Sequence, residues 1–292
     1  MTSIRASSTG LKIVSFNVVP LAYQLIRGWA QENGHRLVLV VTSPGPRTQR
    51  DAGYREIVAN SPPEPDILIT THPKQLPSMI GSLEPDLIIA ATFPYLIPEA
   101  VIETARLGGI NVHATPLPRY RGPNPPRMIY DGHPTVGATV HRIAPDFDTG
   151  HILSRQERAL PEDLTVEGVW AIWREVIIST FHEGVQRAIN GEQGIAQDHT
   201  EASYAAAFTD AEHVLDWSLP VQTLLHRSVA LNLFGPTAQI DIEGNRRLVK
   251  RLAIVSDVSG GPPAGTILEQ REGSAVVTVI DGAVRLEFGL PS

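Results

Sequence analysis

The 292-residue sequence lacks cysteine, long apolar runs and any excess of positive charge. Without cysteine, the chain forms no disulfide, no thiolate metal site and no cysteine nucleophile. Hydrophobic residues make up 42% of the composition, yet no apolar run reaches the length of a membrane-spanning helix. Residues 1–10 are polar and lack the apolar core of a secretion signal. A cytoplasmic protein that does not contact membranes is therefore expected.

Lysine and arginine number 24 against 31 aspartate and glutamate residues, which gives a formal net charge of −7. Proteins that bind nucleic acid over a broad surface are usually basic, so binding to DNA is not expected. The chain has neither a G-x-G-x-x-G loop nor a Walker phosphate loop, so a nicotinamide or ATP site has no support. Four histidines lack the spacing of metal ligands and are interpreted as structural, namely His133, His141, His151 and His226.

Short apolar segments alternate with helical patterns over the first two thirds of the chain. Strands are predicted over residues 11–16, 36–41, 66–70, 86–91, 109–113 and 136–143, and helices over residues 20–32, 98–107 and 166–190. Apolar strands separated by helices indicate an α/β fold with a Rossmann-like, mostly parallel sheet and flanking helices. Ligands of such sheets bind at the carboxyl ends of the strands.

The pattern changes after residue 193. Residues 194–204 are polar and are predicted to link a first domain, residues 1–193, to a second domain, residues 205–292. In the second domain, helical patterns begin at Thr209 and Asp216, and five short strands separated by turns follow. These strands are predicted over residues 238–242, 247–256, 265–269, 275–280 and 283–288. Alternating strands of this length are typical of a small β-barrel.

Chemically useful side chains are concentrated between Asn111 and Gly122, and a separate Asp148 follows further along the chain. Asn111 and His113 are two residues apart in a predicted strand, so their side chains point to the same side. A carboxamide stabilises a developing oxyanion by donating a hydrogen bond, and an imidazole transfers protons near neutral pH. A carboxylate brought close by the fold would complete an Asn/His/Asp set suited to acyl transfer.

These motifs resemble the signature of the 10-formyltetrahydrofolate-dependent formyltransferases, a family that includes methionyl-tRNA formyltransferase and small-molecule N-formyltransferases. The matching residues are Asn111, His113, Leu117, Pro118, Tyr120, Arg121, Gly122, Gly137, Thr139, Asp148, Thr149 and Gly150. The segment Ala114-Thr115-Pro116 departs from the usual Pro-Ser-Leu of the family. The segments that begin at Asp216, Gly265 and Asp281 resemble the C-terminal domain of the family, which implies an OB-like barrel.

The resemblance implies that 10-formyltetrahydrofolate is the co-substrate and that no metal is needed. Catalysis is assigned to three residues: Asn111 as donor to the formyl oxygen, protonated His113 as its partner, and Asp148 as the group that manages the proton. Without the motif, Asn111 would be interpreted as a turn cap and Asp148 as part of an Asx-turn. Asp146, two residues before Asp148, is the alternative carboxylate.

The same resemblance assigns two binding regions. The folate pocket is expected to involve Asp146 and the loop after the fourth strand, namely Phe93, Pro94, Tyr95, Leu96 and Ile97. The acceptor is expected to contact Pro118, Arg119, Tyr120 and Arg121. Arg121 is expected either to bind a carboxylate of the acceptor or folate, or to form a structural ion pair.

The sequence therefore predicts an N-formyltransferase that acts on an amine of a small molecule in a biosynthetic pathway, such as an amino sugar or a hydroxyornithine-type amine. Formylation of methionyl-tRNA is the alternative. Residues 205–292 contain ten acidic and seven basic side chains, a net of −3, and this balance disfavours tRNA. The loop at residues 43–50 holds only two arginines, which points the same way.

The basic cluster of the tail, Arg246, Arg247, Lys250 and Arg251, is interpreted as a solvated hairpin face. Two further functions remain open at this stage. A hydrolase would use the same three residues to release formate, and a regulatory module would bind folate without catalysis. The complete Asn/His/Asp set speaks against the regulatory module.

Overall fold

A computed structural model describes residues 10–45, 53–255 and 261–289. The chain divides into two compact units, each assembled from separate stretches of sequence. The first unit comprises the described residues up to 123 together with residues 138–156 and 177–203. The second unit comprises residues 124–137, residues 157–176 and the described residues from 204 onward. The boundaries proposed at residues 193 and 205 stay a prediction.

The larger sheet has seven strands in the order β3-β2-β1-β4-β5-β6-β7. Its strands are β1 (Lys12–Asn17), β2 (Arg36–Thr42), β3 (Asp66–Ile69), β4 (Leu87–Ala91), β5 (Gly109–His113), β6 (Thr135–Arg142) and β7 (Ile152–Ala159). The first five strands pair in parallel, and β6 runs antiparallel to β5. The predicted mostly parallel sheet is confirmed. Strand β7 was not predicted, because its sequence is mostly polar.

The helices are α1 (Pro20–Glu32), α2 (Gly53–Asn60), α3 (Pro77–Gly81), α4 (Glu99–Ile102), α5 (Arg127–Tyr130), α6 (Val166–Ile189) and α7 (Val221–Asn232). The helix predicted over residues 98–107 was too long, since α4 covers only four residues. The backbone amides of Arg106 and Leu107 donate instead to the carbonyls of Pro85 and Asp86, so the chain leaves the helical path. The segment from Thr209 forms a 3-10 turn, Ala211–His213, and the helix predicted from Asp216 begins at Val221.

Successive side chains of each strand point to opposite faces of the larger sheet, and both faces are buried. In β4, Leu87 and Ile89 belong to one buried cluster, and Ile88 and Ala90 belong to another. The first cluster contains side chains of α1 and α6, namely Ile26, Trp29, Phe181 and Val185. Each fully buried side chain of this size stabilises the fold by about 2 kcal/mol. Ile110 and Val112 of β5 belong to the same cluster, so the strand that carries Asn111 and His113 is anchored in the core.

The second sheet has six strands in the order β11-β12-β13-β10-β9-β8. They are β8 (Val214–Leu215), β9 (Gln239–Ile242), β10 (Asn245–Val255), β11 (Ile267–Arg271), β12 (Ser274–Val279) and β13 (Gly282–Phe288). All five predicted strands are present, although Ser256, the expected end of β10, lies outside the described residues. Glu243 and Gly244 both have positive φ, as a tight hairpin turn requires. Among the described residues, no helix combines the length and the apolar character that crossing a membrane requires.

Candidate active site

The sheet register aligns four residues side by side across the carboxyl end of the parallel strands. Phe16 pairs with Ala90, Ala90 pairs with Asn111, and Asn111 pairs with His141. Residues paired in this way point to the same face of the sheet. His113, two residues after Asn111, shares that face. The sheet thus places an aromatic ring, a carboxamide and two imidazoles on one face.

The Asn111 carboxamide contacts two other side chains of this group. Its Nδ2 donates to Asp148 Oδ1 at 3.4 Å and lies 3.0 Å from His141 Nε2. His141 Nδ1 lies 2.8 Å from the Arg142 carbonyl oxygen, which only accepts hydrogen bonds. The hydrogen-bond network therefore assigns the hydrogen of neutral His141 to Nδ1, and Nε2 accepts from Asn111. Both amide hydrogens of Asn111 are engaged.

The His113 ring is buried, with 8% of its surface exposed. Its Nε2 lies 3.1 Å from the Tyr120 carbonyl oxygen, so Nε2 carries the hydrogen of the neutral ring. The other nitrogen, Nδ1, lies 3.5 Å from Asp148 Oδ1. In the neutral ring Nδ1 is therefore free to accept a proton next to a carboxylate.

Asp148 has an unusual backbone conformation, and its side chain is held by a neighbouring amide. Its φ of 56° lies in the left-handed region, which costs about 1 kcal/mol or more for a non-glycine residue. Its second oxygen, Oδ2, accepts the Gly122 amide at 2.9 Å. At Gly150, an added Cβ would lie 1.7 Å from the Arg142 carbonyl oxygen, so the Asp-x-Gly glycine is required by close packing against β6.

Burial and charge act in opposite directions on this pair. Burial raises the pKa of Asp148, but the nearby His113 and His141 rings and the hydrogen bond from the Gly122 amide outweigh it, and the pKa falls to about 2. For His113, burial lowers the pKa below 6.5, and the nearby Asp148 carboxylate opposes this only in part. At pH 7 Asp148 is thus ionised, and the neutral form of His113 predominates. The resemblance implied a protonated His113, whereas the structure shows that burial favours its neutral form.

The loop between His113 and Arg121 is anchored to the sheet. Leu117 is fully buried, and its amide donates to Thr139 Oγ1 at 3.0 Å. Thr139 Oγ1 in turn donates to the Thr115 carbonyl at 2.8 Å, and Arg155 donates to the Leu117 carbonyl. Thr115, in the segment that departs from the family pattern, bonds the carbonyls of residues 119 and 120. These hydrogen bonds of Thr115 therefore restrain the loop, although this segment differs from the family sequence.

The predicted acceptor residues lie in this loop. Pro118 is buried, and Arg119, Tyr120 and Arg121 are half-buried. Tyr120 has a φ of 58°, so its backbone also occupies the left-handed region. The Tyr120 carbonyl accepts the hydrogen bond from His113 Nε2, so the loop that holds the predicted acceptor residues contacts the imidazole directly.

Arg121 is held by neutral groups in the described part of the chain, and its expected contact with a carboxylate of the acceptor or folate stays a prediction. Its Nε and Nη2 donate to Gln197 Oε1, at 3.2 and 2.6 Å, and Nη2 lies 3.1 Å from His199 Nδ1. Its backbone amide donates to the Ser203 carbonyl at 2.9 Å. Residues of the predicted linker, 194–204, thus contact the motif loop directly.

The loop after β4 supplies an aromatic group at the carboxyl end of the sheet. The rings of Phe16 and Phe93 meet edge to face at 5.1 Å, and Phe93 meets Tyr95 at 5.8 Å. Ile97 is buried in the core on this face, whereas Leu96 is 42% exposed. Pro94 is half-buried, and Asp146 is exposed in the loop that precedes Asp148. The folate-binding roles of these residues stay predictions.

Two residues that contact this site were not identified from the sequence. The sequence predicts a structural role for His141, yet its Nε2 lies 3.6 Å from Asp148 Oδ1 and 3.0 Å from the Asn111 amide. Its strand position two residues beyond Thr139 was the available signal. Gln197 stands in a polar segment with no periodic pattern, so no signal marked it. Among the described residues, no group of three metal-binding side chains is found.

The sequence matches the family described as formyl transferase over residues 12–176, and the formyl transferase C-terminal domain over residues 208–288. The methionyl-tRNA formyltransferase of Staphylococcus epidermidis is 28% identical over 269 residues, which cover 86% of this chain and 83% of that protein.

Two solved structures share the fold. HypX from Aquifex aeolicus, in complex with tetrahydrofolic acid, has a TM-score of 0.68 and 19% identity. The match covers 95% of this chain but only 44% of HypX. An N-formyltransferase from Helicobacter canadensis, in complex with folinic acid and dTDP-3-aminofucose, has a TM-score of 0.69 and 15% identity, with 96% and 100% of the two chains covered. Because the first family match alone spans more than half of the 292 residues, this protein belongs to the formyl transferase family.

Proposed function

We propose that this protein transfers the formyl group of 10-formyltetrahydrofolate to an amine of a small molecule. The observation that carries the proposal is the buried set of Asn111, His113 and Asp148 at the carboxyl end of the sheet. Asp148 Oδ1 lies within 3.5 Å of both Asn111 Nδ2 and His113 Nδ1. An amide donor, a proton acceptor and a carboxylate converge there, as acyl transfer to an amine requires.

The chain fits a folate at this site. Phe93 and Tyr95 lie in the loop after β4, at the carboxyl end of the sheet, and their half-buried rings meet at 5.8 Å. A flat aromatic ligand packs favourably against such rings. HypX and the Helicobacter canadensis enzyme were solved with tetrahydrofolic acid and folinic acid, and their folds match this one. The bound folate supplies a formyl group that is already activated by its attachment to nitrogen.

Asp148 and His113 manage the proton that the attacking amine loses. The neutral His113 ring accepts it at Nδ1, and the ionised Asp148 carboxylate, 3.5 Å away, stabilises the resulting imidazolium. His113 then returns the proton to the departing folate nitrogen, so proton count and charge balance over the reaction. A new C–N bond to the acceptor replaces the C–N bond to folate.

Asn111 stabilises the negative charge that develops on the formyl oxygen. Its amide nitrogen Nδ2 lies 3.0 Å from His141 Nε2 and 3.4 Å from Asp148 Oδ1. The bond to Asp148 is the longer one, so this hydrogen is the one available to the formyl oxygen. The bond to His141 keeps the carboxamide oriented during the exchange.

The electrostatics of the second unit favour a small acceptor. Arg246 donates two hydrogen bonds to Asp241, at 2.7 and 2.9 Å, and Arg247 lies over the Phe288 ring at 4.4 Å. Two members of the basic cluster are therefore already engaged within the unit, which leaves Lys250 and Arg251 as its other exposed charges. Residues 46–50, which contain the two arginines of the loop after β2, lie outside the described residues.

Formylation of methionyl-tRNA is the second candidate. It is favoured by the Staphylococcus epidermidis relative, which aligns with 86% of the chain. The direct test is a formyl-transfer assay with 10-formyltetrahydrofolate and three acceptor types: dTDP-linked amino sugars, N-hydroxyornithine and initiator methionyl-tRNA. The proposal expects turnover with a small amine and little with methionyl-tRNA. Efficient transfer to tRNA alone would contradict it. Formate release without any acceptor would identify a hydrolase.

A further inference from the structure

The segment after α6 returns across the two loops that carry the proposed catalytic residues. Gln197 of this segment is buried, with 6% of its surface exposed. Its Nε2 donates to the carbonyls of Asp148 and Gly150, at 2.9 and 2.8 Å. Its Oε1 accepts from the Arg121 guanidinium. One neutral side chain therefore joins the Asp148 loop to the Arg121 end of the motif loop.

We infer that Gln197 is a positioning residue for the formyl-transfer reaction, and that it acts by fixing the backbone from which Asp148 reaches His113. This inference rests on the proposed function. Asp148 occupies a left-handed backbone conformation that a non-glycine residue adopts only under constraint. The two hydrogen bonds from Gln197 hold the carbonyls of Asp148 and Gly150, and so supply the constraint.

The rest of the segment holds the motif loop from the same side. The Ser203 carbonyl accepts the Arg121 amide at 2.9 Å, and Ser203 Oγ accepts the Tyr120 amide at 2.9 Å. The Tyr120 carbonyl binds His113 Nε2. The segment thus restrains both partners of the His113–Asp148 contact. A misplacement of about 1 Å between catalytic groups is enough to reduce turnover by about a hundredfold.

Two substitutions separate the parts of this arrangement. Gln197→Glu is isosteric, keeps an acceptor for Arg121 and places an oxygen against the carbonyls of Asp148 and Gly150. Gln197→Met has a similar volume and removes both interactions. Gln193→Glu is the matched control, because Gln193 is exposed and its side-chain amide donates to the nearby Gly191 carbonyl, away from both loops. It introduces the same charge in the same segment.

We expect Gln197→Glu and Gln197→Met to lower kcat at least about tenfold, with the KM for folate changed less than about threefold. Gln193→Glu is expected to keep the wild-type kcat. The imidazole titration of His113, followed by NMR, adds a readout that does not need an acceptor. His113 is faced by Asp148 and His141, and the Asp148 carboxylate raises its pKa. If Asp148 moves away in Gln197→Met, the His113 titration shifts to lower pH.

Wild-type kcat together with an unchanged His113 titration in folded Gln197→Met protein would overturn the inference. If Gln197→Met does not fold, as judged by circular dichroism, the comparison of kcat between Gln197→Glu and Gln193→Glu decides the question. Equal losses in these two variants would also overturn the inference. If the wild-type protein transferred formyl to no acceptor, the proposed function would fail, and the NMR titration would still test the positioning of Asp148.

Discussion

His141 Nε2 lies 3.0 Å from the carboxamide nitrogen of Asn111, and the two residues are direct partners across β5 and β6. His141 is 2% exposed and its other nitrogen is held by the Arg142 carbonyl. The ring therefore presents an acceptor to Asn111 in a fixed direction. This contact holds the amide nitrogen of Asn111, rather than its oxygen, toward His141.

Replacing His141 tests this orientation. Glutamine places a polar amide close to the position of Nε2, whereas leucine removes the acceptor and keeps the bulk. His141→Leu is expected to lower kcat about tenfold or more, because the Asn111 amide loses its partner, and His141→Gln is expected to recover most of the activity. Steady-state kinetics with the true acceptor measure both. Equal activity of the two variants would mean that His141 only fills space.

Removing the Asn111 side chain itself has a distinct signature. Asn111→Ala is expected to lower kcat about a hundredfold with little change in folate affinity, because its bond strengthens only as charge develops on the formyl oxygen. Folate binding is followed separately by fluorescence titration. A loss of folate binding with unchanged kcat would make Asn111 a contact to the bound folate instead.

The His113–Asp148 pair is expected to behave as a proton-transfer unit. His113→Ala and Asp148→Asn should each lower kcat about a hundredfold or more while the fold is retained. Asp66→Asn is the control for loss of one carboxylate, since Asp66 is exposed on β3. Single-turnover rates and circular dichroism are measured for all three proteins. Wild-type turnover of His113→Ala would refute the proposed mechanism.

Acid is expected to destabilise the fold through the same pair. The pKa of Asp148 falls from 3.8 to about 2 in the folded protein, despite burial, because of its histidine neighbours. A folded pKa below the unfolded one stabilises the protein above pH 4, and this stability is lost as the pH falls toward 2. The loss amounts to about 2 kcal/mol.

Burial also lowers the pKa of His113, so the stability that its neutral form contributes above pH 6.5 likewise decreases on acidification. Urea unfolding at pH 7, 5 and 3 measures the combined effect. Asp148→Asn should reduce the pH dependence between pH 5 and 3, whereas Asp66→Asn should leave it close to wild type. A wild-type pH dependence in Asp148→Asn would contradict the electrostatic account.

The acceptor is tested through salt and charge. Changing Arg246, Arg247, Lys250 and Arg251 together to glutamine is expected to leave turnover of a small amine nearly unchanged. The exposed Arg246–Asp241 pair is lost in this variant, which is expected to affect stability little because solvent screens such surface pairs. Activity should also vary little between about 50 and 200 mM salt, since few charges are neutralised on binding. Efficient formylation of methionyl-tRNA that is lost in the fourfold variant would show that tRNA is the acceptor.

Local rules were sufficient for six of the seven strands of the larger sheet and for placing Asn111 and His113 on one face. The apolar strands β1, β4 and β5 are recognisable in the sequence because they are buried on both faces. The period of two in a strand then placed Asn111 and His113 on one side. The helix predicted after residue 98 failed where backbone amides bonded a distant loop, a choice that no local pattern reveals.

Tertiary structure alone determined the completed site. Asp148 is 35 residues from His113 along the chain, and only the folded loop after β6 brings their side chains to 3.5 Å. His141 joined the site through strand register, and Gln197 through the return of the chain after α6, 76 residues beyond Arg121. The lowered pKa of His113 depends on burial by these same contacts. The sequence by itself determined which chemical groups are present and which neighbours share a face, since both follow from residue type and strand period. Distances, protonation and support depend on contacts between segments far apart in sequence, and therefore only the folded chain decided them.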